Sequence, residues 1–89
     1  MAWRVEFAKG AQKDLAKLDA VGRERVLRFL ADRIAQSENP RTVGEALRGP
    51  VLGRYWKYRV GEYRLICDLQ DGLLLVLVVR VGHRREIYR

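Results

Sequence analysis

The sequence predicts an α+β domain of order β-α-α-β-β-β, in which a helical hairpin packs on a four-stranded, mainly antiparallel sheet. Three observations predict it. The N-terminus alternates apolar and charged side chains, residues 8–36 hold two amphipathic helical repeats, and residues 54–81 hold three strand-like segments separated by two tight turns. A chain of 89 residues can bury one modest core, so residues 1–89 are expected to form a single domain.

The first strand and the two helices follow from the spacing of apolar side chains. Residues 3–7 alternate between apolar and charged types, which is typical of a short strand. Apolar side chains recur at spacings of three and four over residues 8–18 and again over residues 20–36, which predicts two helices joined by a short turn. Asp19 stands at that turn as a candidate N-cap, and Pro40 ends the second helical segment.

The second half of the chain predicts a loop followed by a three-stranded meander. Residues 37–53 are rich in turn-forming types, with a short helical turn expected around residues 44–47. The three strand-like segments are residues 54–60, 63–69 and 73–81. Gly61-Glu62 is a two-residue hairpin connection between the first two of them. The last segment is apolar on both faces, which predicts a central strand covered on each side.

The composition excludes several kinds of site. The single cysteine, Cys67, has no partner for a disulfide, and with only one histidine, His83, the chain lacks the ligands of a zinc site. Phosphate-binding glycine loops and a serine nucleophile elbow are absent as well. No apolar run approaches the length of a membrane helix, so we expect a cytoplasmic protein without a membrane partner.

Positive charge is concentrated in the last third of the chain. The formal net charge is +7, and residues 54–89 carry eight basic and four acidic side chains. Most of these basic residues are arginine, which binds phosphate through two parallel hydrogen bonds. A basic surface attracts polyanions, so contact with nucleic acid is one interpretation, and a generally basic, solvated surface is the other.

Cleavage of RNA is a reaction that these residue types can perform without a metal or another cofactor. The 2′-hydroxyl attacks its own phosphate, while cations stabilise the charge on the phosphoryl oxygens and a Lys or Tyr transfers protons. The candidates are Lys57, Arg59, Arg64, His83, Arg84, Arg85 and Tyr88. The meander is expected to bring them together, because the C-terminal tail follows the strand next to Arg64.

Three segments resemble the RelE branch of the RelE/ParE toxin superfamily. They are Leu47-Arg48-Gly49, the run Tyr-Trp-Lys-Tyr-Arg-Val-Gly-Glu-Tyr-Arg-Leu-Ile at residues 55–66, and the run Arg-Val-Gly-His-Arg-Arg-Glu-Ile-Tyr at residues 80–88. The resemblance implies a type II toxin that cleaves mRNA in the A site of the small ribosomal subunit. It also implies a cognate protein antitoxin that neutralises the toxin in a hetero-oligomeric complex.

The resemblance also implies roles for individual residues. Lys57 and Arg64 match the cations that stabilise the phosphate in the transition state. Arg84 matches the arginine that assists the leaving 5′-oxygen, and Tyr88 matches the C-terminal tyrosine that stacks on or orients a nucleotide. Arg59 matches a further basic position on the same strand as Lys57.

Two positions depart from the pattern and leave the general base open. Tyr55 and His83 each stand where the best-studied member of the family has a lysine. Tyr55, Lys57, His83 and Tyr88 therefore all remain candidates for the base, and Tyr55 and His83 are also candidate RNA-binding residues. Arg85 is a further candidate for RNA binding, because only the motif spacing favours Arg84 over it.

Other interpretations apply to the same residues. Lys57 and Arg59 could form the solvent face of an edge strand, Tyr88 could anchor the tail, and Arg64 could form a salt bridge with Glu62, Asp68 or Glu86. At the level of function, a ParE-type inhibitor of DNA gyrase shares the expected fold. A catalytically weak protein that acts mainly in a regulatory complex with its antitoxin is a third possibility.

Overall fold

The computed structural model describes residues 2–50 and 53–86 as one α+β fold. Its regular elements, in chain order, are β1 (Arg4–Phe7), α1 (Lys9–Lys17), α2 (Ala20–Phe29), β2 (Glu45–Ala46), β3 (Trp56–Val60), β4 (Tyr63–Gln70) and β5 (Leu75–His83). A π-helical turn, Leu30–Ile34, continues α2, and 3₁₀ turns at Pro40–Thr42 and Asp71–Leu73 precede β2 and β5. No helix of the described residues is long and apolar enough to cross a membrane.

The described strands form a five-stranded sheet of order β1-β5-β4-β3-β2. β1 runs parallel to β5, and the other neighbours are antiparallel. The mainly antiparallel α+β fold is confirmed, with one strand more than predicted. The extra strand is β2, where Glu45 pairs with Lys57 and Ala46 with Trp56.

The helical turn predicted around residues 44–47 is therefore wrong. Gly44 has a φ of +78°, which takes the chain out of helical geometry just before β2. A Cβ at this position would lie 2.3 Å from the carbonyl oxygen of Lys57, so only glycine lets the two backbones approach this closely. The indole N–H of Trp56 donates to the Val43 carbonyl at 2.7 Å and holds the segment against β3.

The turn between the helices is fixed by side chains at both ends. The carboxylate of Asp19 accepts the N–H of Gly22 at 3.2 Å, which confirms the predicted N-cap. The guanidinium of Arg23 donates to the carbonyls of Leu15 and Leu18 at the end of α1, where helix carbonyls lack the partners of a continuing helix. The helical hairpin is thereby closed by α2 residues that bind the last turn of α1.

The core lies between the helices and one face of the sheet. Its buried side chains include Ala11 from α1, Val26 from α2, and Leu65, Val76 and Val78 from the two central strands. β5 is central, as predicted, since β1 and β4 flank it. On one of its faces, β5 shares the core with the helices, to which it contributes Val76, Val78 and Val81.

A β-bulge in β5 changes which side chains face the core. Cys67 pairs with Val78, whereas its neighbour Ile66 pairs with Arg80, so Val79 has no partner in the register. Beyond the bulge, Val81 pairs with the core residue Leu65, and the alternation of β5 is reversed. The sequence pattern gave no signal for this irregularity.

Candidate functional site: a basic strip and the hairpin tip

The sheet face opposite the core carries a row of cations. Residues directly opposite one another in a register share a face. Lys57, Arg59 and Arg64 therefore lie on the face opposite to Tyr58 and Leu65, which are fully buried in the core. We call Lys57, Arg59 and Arg64 the basic strip, and the sheet face that carries them the open face.

Arg59 and Arg64 are directly opposite each other across β3 and β4. Like charges in this arrangement repel, because the Cβ atoms of such a pair lie about 5 Å apart. Within residues 2–50 and 53–86, neither arginine forms a salt bridge with a carboxylate. The pair is therefore a concentration of positive charge that an anion would relieve.

Arg64 is held by backbone carbonyls. Its Nη1 donates to the carbonyls of Gly61 and Tyr63, each at 2.9 Å. None of the three acidic partners considered from the sequence binds Arg64 in the described structure. Asp68 pairs with Arg54, Glu62 pairs with Arg84, and Glu86 forms no salt bridge with Arg64. The hydrogen bonds to the Gly61 and Tyr63 carbonyls keep the Arg64 guanidinium at the tip of the hairpin without neutralising its charge.

Lys57 is the neutralised member of the basic strip. Its Nζ lies 2.9 Å from the carboxylate of Glu45, its cross-strand neighbour on β2. The hydrogen bond from Lys57, assisted by the charges of Arg59 and Arg48, holds the pKa of Glu45 below its ordinary value. Glu45 therefore stays ionised near neutral pH and offsets part of the positive charge of the open face.

The end of β5 lies beside Arg64, as the meander predicts. Gly82 pairs with Arg64, and the chain then turns over residues 83–86. The backbone N–H of Arg84 donates to the Glu62 carbonyl at 2.8 Å, and its Nε lies 3.0 Å from the Glu62 carboxylate. The hairpin tip, by which we mean residues 61–63, thus contacts both Arg64 and Arg84.

His83 is not brought into the basic strip. It pairs with Tyr63, a core-facing residue, and the two rings meet edge to face with centroids 6.4 Å apart. Its side chain borders a cleft of about 290 Å³ that Asp19 and Arg25 line from the helical side. The bulge at Val79 explains the difference, because an unbroken alternation along β5 would have put His83 on the open face.

The remaining predicted residues have separate positions. Tyr55 precedes β3, is half-buried, and lies under the Arg54 guanidinium at 5.2 Å from the ring centroid. Arg85 is exposed in the turn after β5. Tyr88 lies outside the described residues. No group of three or more His, Cys, Asp or Glu side chains in the described parts of the chain is arranged to hold a metal ion.

Sequence reasoning gave Glu45 no role in the site and named Glu62 only as a possible salt-bridge partner of Arg64. Glu62 could have been found, because it occupies the predicted two-residue turn directly before Tyr63-Arg64, next to the end of the last strand. Glu45 gave no signal, since its strand has only two residues and pairs with a segment more than ten positions away.

The basic strip, together with Arg84 near the hairpin tip, forms a surface suited to a phosphate backbone. Arginine and lysine can bind phosphate oxygens and stabilise charge that develops on them. The open face of the sheet leaves these side chains accessible to an extended polyanion.

Known proteins resemble this chain over its whole length. The family described as the ParE toxin of type II toxin-antitoxin system, parDE, matches residues 5–88. Toxin RelG of Mycobacterium tuberculosis is 35% identical over 89 residues, which are 100% of this chain and 99% of that protein. The mRNA interferase toxin RelE of Escherichia coli is 32% identical over 90 residues, covering 99% of this chain and 92% of that protein.

Solved structures with the same fold also match nearly the whole chain. The toxin–antitoxin complex RelBE2 of Mycobacterium tuberculosis contains a chain that matches with a TM-score of 0.85 and 30% identity, over 97% of this chain and 95% of that one. A chain of the intact Escherichia coli RelBE complex matches with a TM-score of 0.73 and 26% identity, over 92% and 96%. Family, relatives and fold agree, and the chain belongs to the RelE/ParE superfamily of type II toxin–antitoxin toxins.

Proposed function

We propose that this chain is a ribosome-dependent endoribonuclease that cleaves mRNA by attack of a 2′-hydroxyl on the adjacent phosphate, without a metal. The observation that carries the proposal is the opposed pair Arg59 and Arg64 on the uncovered sheet face. A repulsive arginine pair without a carboxylate partner in the described structure is costly unless an anion binds there. The 32% identity to an mRNA interferase supports the same reaction.

The reaction needs positioning and charge stabilisation more than a dedicated cofactor. The 2′-oxygen loses its proton and bonds to phosphorus, the bond from phosphorus to the 5′-oxygen breaks, and the leaving oxygen gains a proton. The products are a 2′,3′-cyclic phosphate and a 5′-hydroxyl. Lys57 and Arg64 stabilise the phosphoryl oxygens, Arg84 assists the leaving oxygen, and Tyr88 stacks on a base.

The identity of the general base stays open among Tyr55, Lys57, His83 and Tyr88. His83 faces the helical side of the sheet, away from the basic strip. The Lys57 ammonium forms a salt bridge with Glu45, with Nζ 2.9 Å from its carboxylate. A small domain can perform this chemistry if the ribosome supplies the substrate geometry, which is why we propose ribosome dependence.

Cleavage on programmed ribosomes tests this function. Purified protein is added to ribosomes stalled on a defined mRNA, and the new RNA ends are mapped by primer extension. We expect cuts in phase with codons for the wild type and a loss of about 100-fold or more for Arg64→Ala. Arg28→Ala is the matched control, because Arg28 lies on α2 and pairs there with Glu24.

Two results would contradict the proposal. Wild-type protein that leaves the ribosome-bound mRNA intact would end the nuclease assignment. Equal cutting of the same mRNA without ribosomes would end its ribosome dependence.

A second candidate function is inhibition of DNA gyrase, which the match to the ParE toxin family favours. The two functions are separated by a supercoiling assay with purified gyrase. Inhibition by wild-type protein, unchanged by Arg64→Ala, would favour the gyrase function. The Arg59–Arg64 pair leads us to place the nuclease first.

We also propose that the chain pairs with a cognate antitoxin in a hetero-oligomer. The solved relatives include toxin–antitoxin complexes, and this chain has a formal charge of +7. An acidic, partly apolar segment that folds on the toxin would suit such a surface. Co-purification of a tagged chain with the product of the neighbouring reading frame tests this, and recovery of the toxin alone from that co-expression would contradict it.

A further inference from the structure

We propose that Glu62 is a positioning residue that holds Arg84 by the Nε edge of its guanidinium and so directs the Nη edge toward the scissile phosphate. The inference rests on the proposed nuclease function. Glu62 lies in the two-residue turn of the hairpin, and sequence reasoning considered it only as a possible partner of Arg64, not of Arg84.

The contact between Glu62 and Arg84 has two points. The Glu62 carbonyl accepts the backbone N–H of Arg84 at 2.8 Å, and the Glu62 carboxylate lies 3.0 Å from the Arg84 Nε. The first contact fixes the position of the Arg84 backbone, and the second fixes the direction of its side chain. Both groups are at the surface, so the pair contributes little to stability, and its consequence is orientation.

The atoms in this contact leave the phosphate-binding edge of Arg84 available. A guanidinium has five N–H donors in one rigid plane, and one of them lies on Nε. Among the described residues, no carboxylate accepts a hydrogen bond from the Nη atoms of Arg84, and its ion pair with Glu62 is made at Nε. Arg41 differs, because its Nη1 and Nη2 bind the two carboxylate oxygens of Asp71 at 2.7 and 3.0 Å.

The same turn organises the second candidate arginine. Arg64 donates through Nη1 to the carbonyls on either side of Glu62, those of Gly61 and Tyr63. Its Nε and Nη2 have no hydrogen-bond partner among the residues described. Three consecutive residues thus contact two guanidinium groups, and each guanidinium keeps further N–H donors that these contacts do not use.

His83 supports the carboxylate from its other side. Its Nδ1 accepts the backbone N–H of Arg85 at 3.3 Å, which assigns the proton of the neutral ring to Nε2. That Nε2 lies 3.6 Å from the same Glu62 oxygen that faces Arg84. This places His83 beside the Glu62 carboxylate rather than in the basic strip.

Kinetics of Glu62 variants on programmed ribosomes test the inference. We expect Glu62→Ala to lower the single-turnover rate about tenfold with little change in the ribosome concentration for half-maximal rate. Glu62→Gln should recover most of the rate, because its side chain has the same length and keeps an oxygen beside the Arg84 Nε. Glu24→Ala removes the same charge from α2 and should leave the rate unchanged.

A double-mutant comparison separates positioning from a general structural effect. If Glu62 acts through Arg84, then Glu62→Ala has no further effect in an Arg84→Ala background. An equal loss in both backgrounds, or an unchanged rate for Glu62→Ala in the wild type, would overturn the inference.

A measurement without cleavage keeps the two proposals distinguishable. The Arg84 Nε–H signal in ¹⁵N NMR should exchange with solvent more slowly in the wild type and in Glu62→Gln than in Glu62→Ala, because the side chain at position 62 lies against Nε. A wild type that cuts no RNA would end the nuclease proposal alone if this pattern holds. Fast exchange in the wild type as well would overturn the positioning of Arg84 by Glu62.

Discussion

The two faces of the sheet are made by the same strands, yet they depend on different physical terms. Along β3 and β4, residues that are fully buried alternate with cations of the open face, so that Leu65 directly follows Arg64 and Tyr58 separates Lys57 from Arg59. On the covered face apolar burial stabilises the fold. On the open face the positive charges are not fully compensated. This face therefore favours the binding of an anion and contributes less to the stability of the fold.

Arginines elsewhere in the molecule sharpen the comparison. Arg41 binds Asp71 through two hydrogen bonds, and Arg80 binds Asp14, whose carboxylate also accepts the N–H of Val81. Such paired arginines fasten loops and strand ends. Arg59 and Arg64 instead form no salt bridge with a carboxylate among the described residues, and this difference marks the candidate site better than the number of arginines does.

The largest effect should come from the covered face. Leu65→Ala removes a fully buried side chain, and we expect it to lower the free energy of unfolding by about 2–5 kcal/mol. Its neighbour Arg64→Ala should cost about 1 kcal/mol, since Arg64 donates to two backbone carbonyls, one exposed and one partly buried. Urea denaturation measures both, and equal losses for the two variants would break the distinction between the faces.

A smaller loss is expected at the end of β5. Asp14 is largely buried and accepts two hydrogen bonds at 2.9 Å, from the Arg80 Nε and from the backbone N–H of Val81. Asp14→Ala leaves that N–H unpaired, which should cost about 1–3 kcal/mol. Asp14→Asn keeps an acceptor and should lose less in the same denaturation experiment. If Asp14→Asn cost as much as Asp14→Ala, the charge rather than the hydrogen bond to β5 would be decisive.

The dependence of stability on pH follows from the same carboxylate. Burial would raise the pKa of Asp14, but the hydrogen bonds from Arg80 and Val81 outweigh it, and the pKa is lowered. A carboxyl group with a lowered pKa contributes stability above its unfolded pKa of about 4, and that contribution is lost as the pH falls through the folded pKa. Wild-type stability should therefore fall below pH 4 more steeply than that of Asp14→Ala. Parallel curves would exclude Asp14 as a cause of the acid sensitivity.

Local patterns predicted most of the fold, whereas the missed features depend on distant partners. The Asp19 cap and the Gly61-Glu62 hairpin follow from short-range chemistry, and both are present. The β2 strand was missed, because two residues have no periodicity and their pairing with β3 exists only in the folded chain. The expectation that the chain at the end of β5 lies beside Arg64 is confirmed for Gly82, because hairpins fix which strands are neighbours.

Parts of the candidate site could not be predicted from the sequence for a different reason. The bulge at Val79 reverses the alternation of β5, so the side of the sheet that His83 occupies could not be read from the pattern. The carboxylates of Glu45 and Glu62 were missed, because an acidic residue in a turn or a short strand is usually solvated. Their proximity to Lys57 and Arg84 is a product of register.

The smallest effect should appear where the open face is already neutralised. Glu45→Gln removes the carboxylate that pairs with Lys57, so the basic strip gains positive potential without any new contact. We expect the affinity for a short RNA that lacks the attacking 2′-hydroxyl to rise about two- to threefold at low salt, and the gain to shrink near 0.15 M salt as screening sets in. Fluorescence anisotropy at two salt concentrations measures it. Glu6→Gln is the matched control, because Glu6 pairs with Arg4 on β1, at the far edge of the sheet. An equal gain for Glu6→Gln would mean that net charge alone attracts RNA, and that the basic strip is no more favourable to it than the rest of the surface.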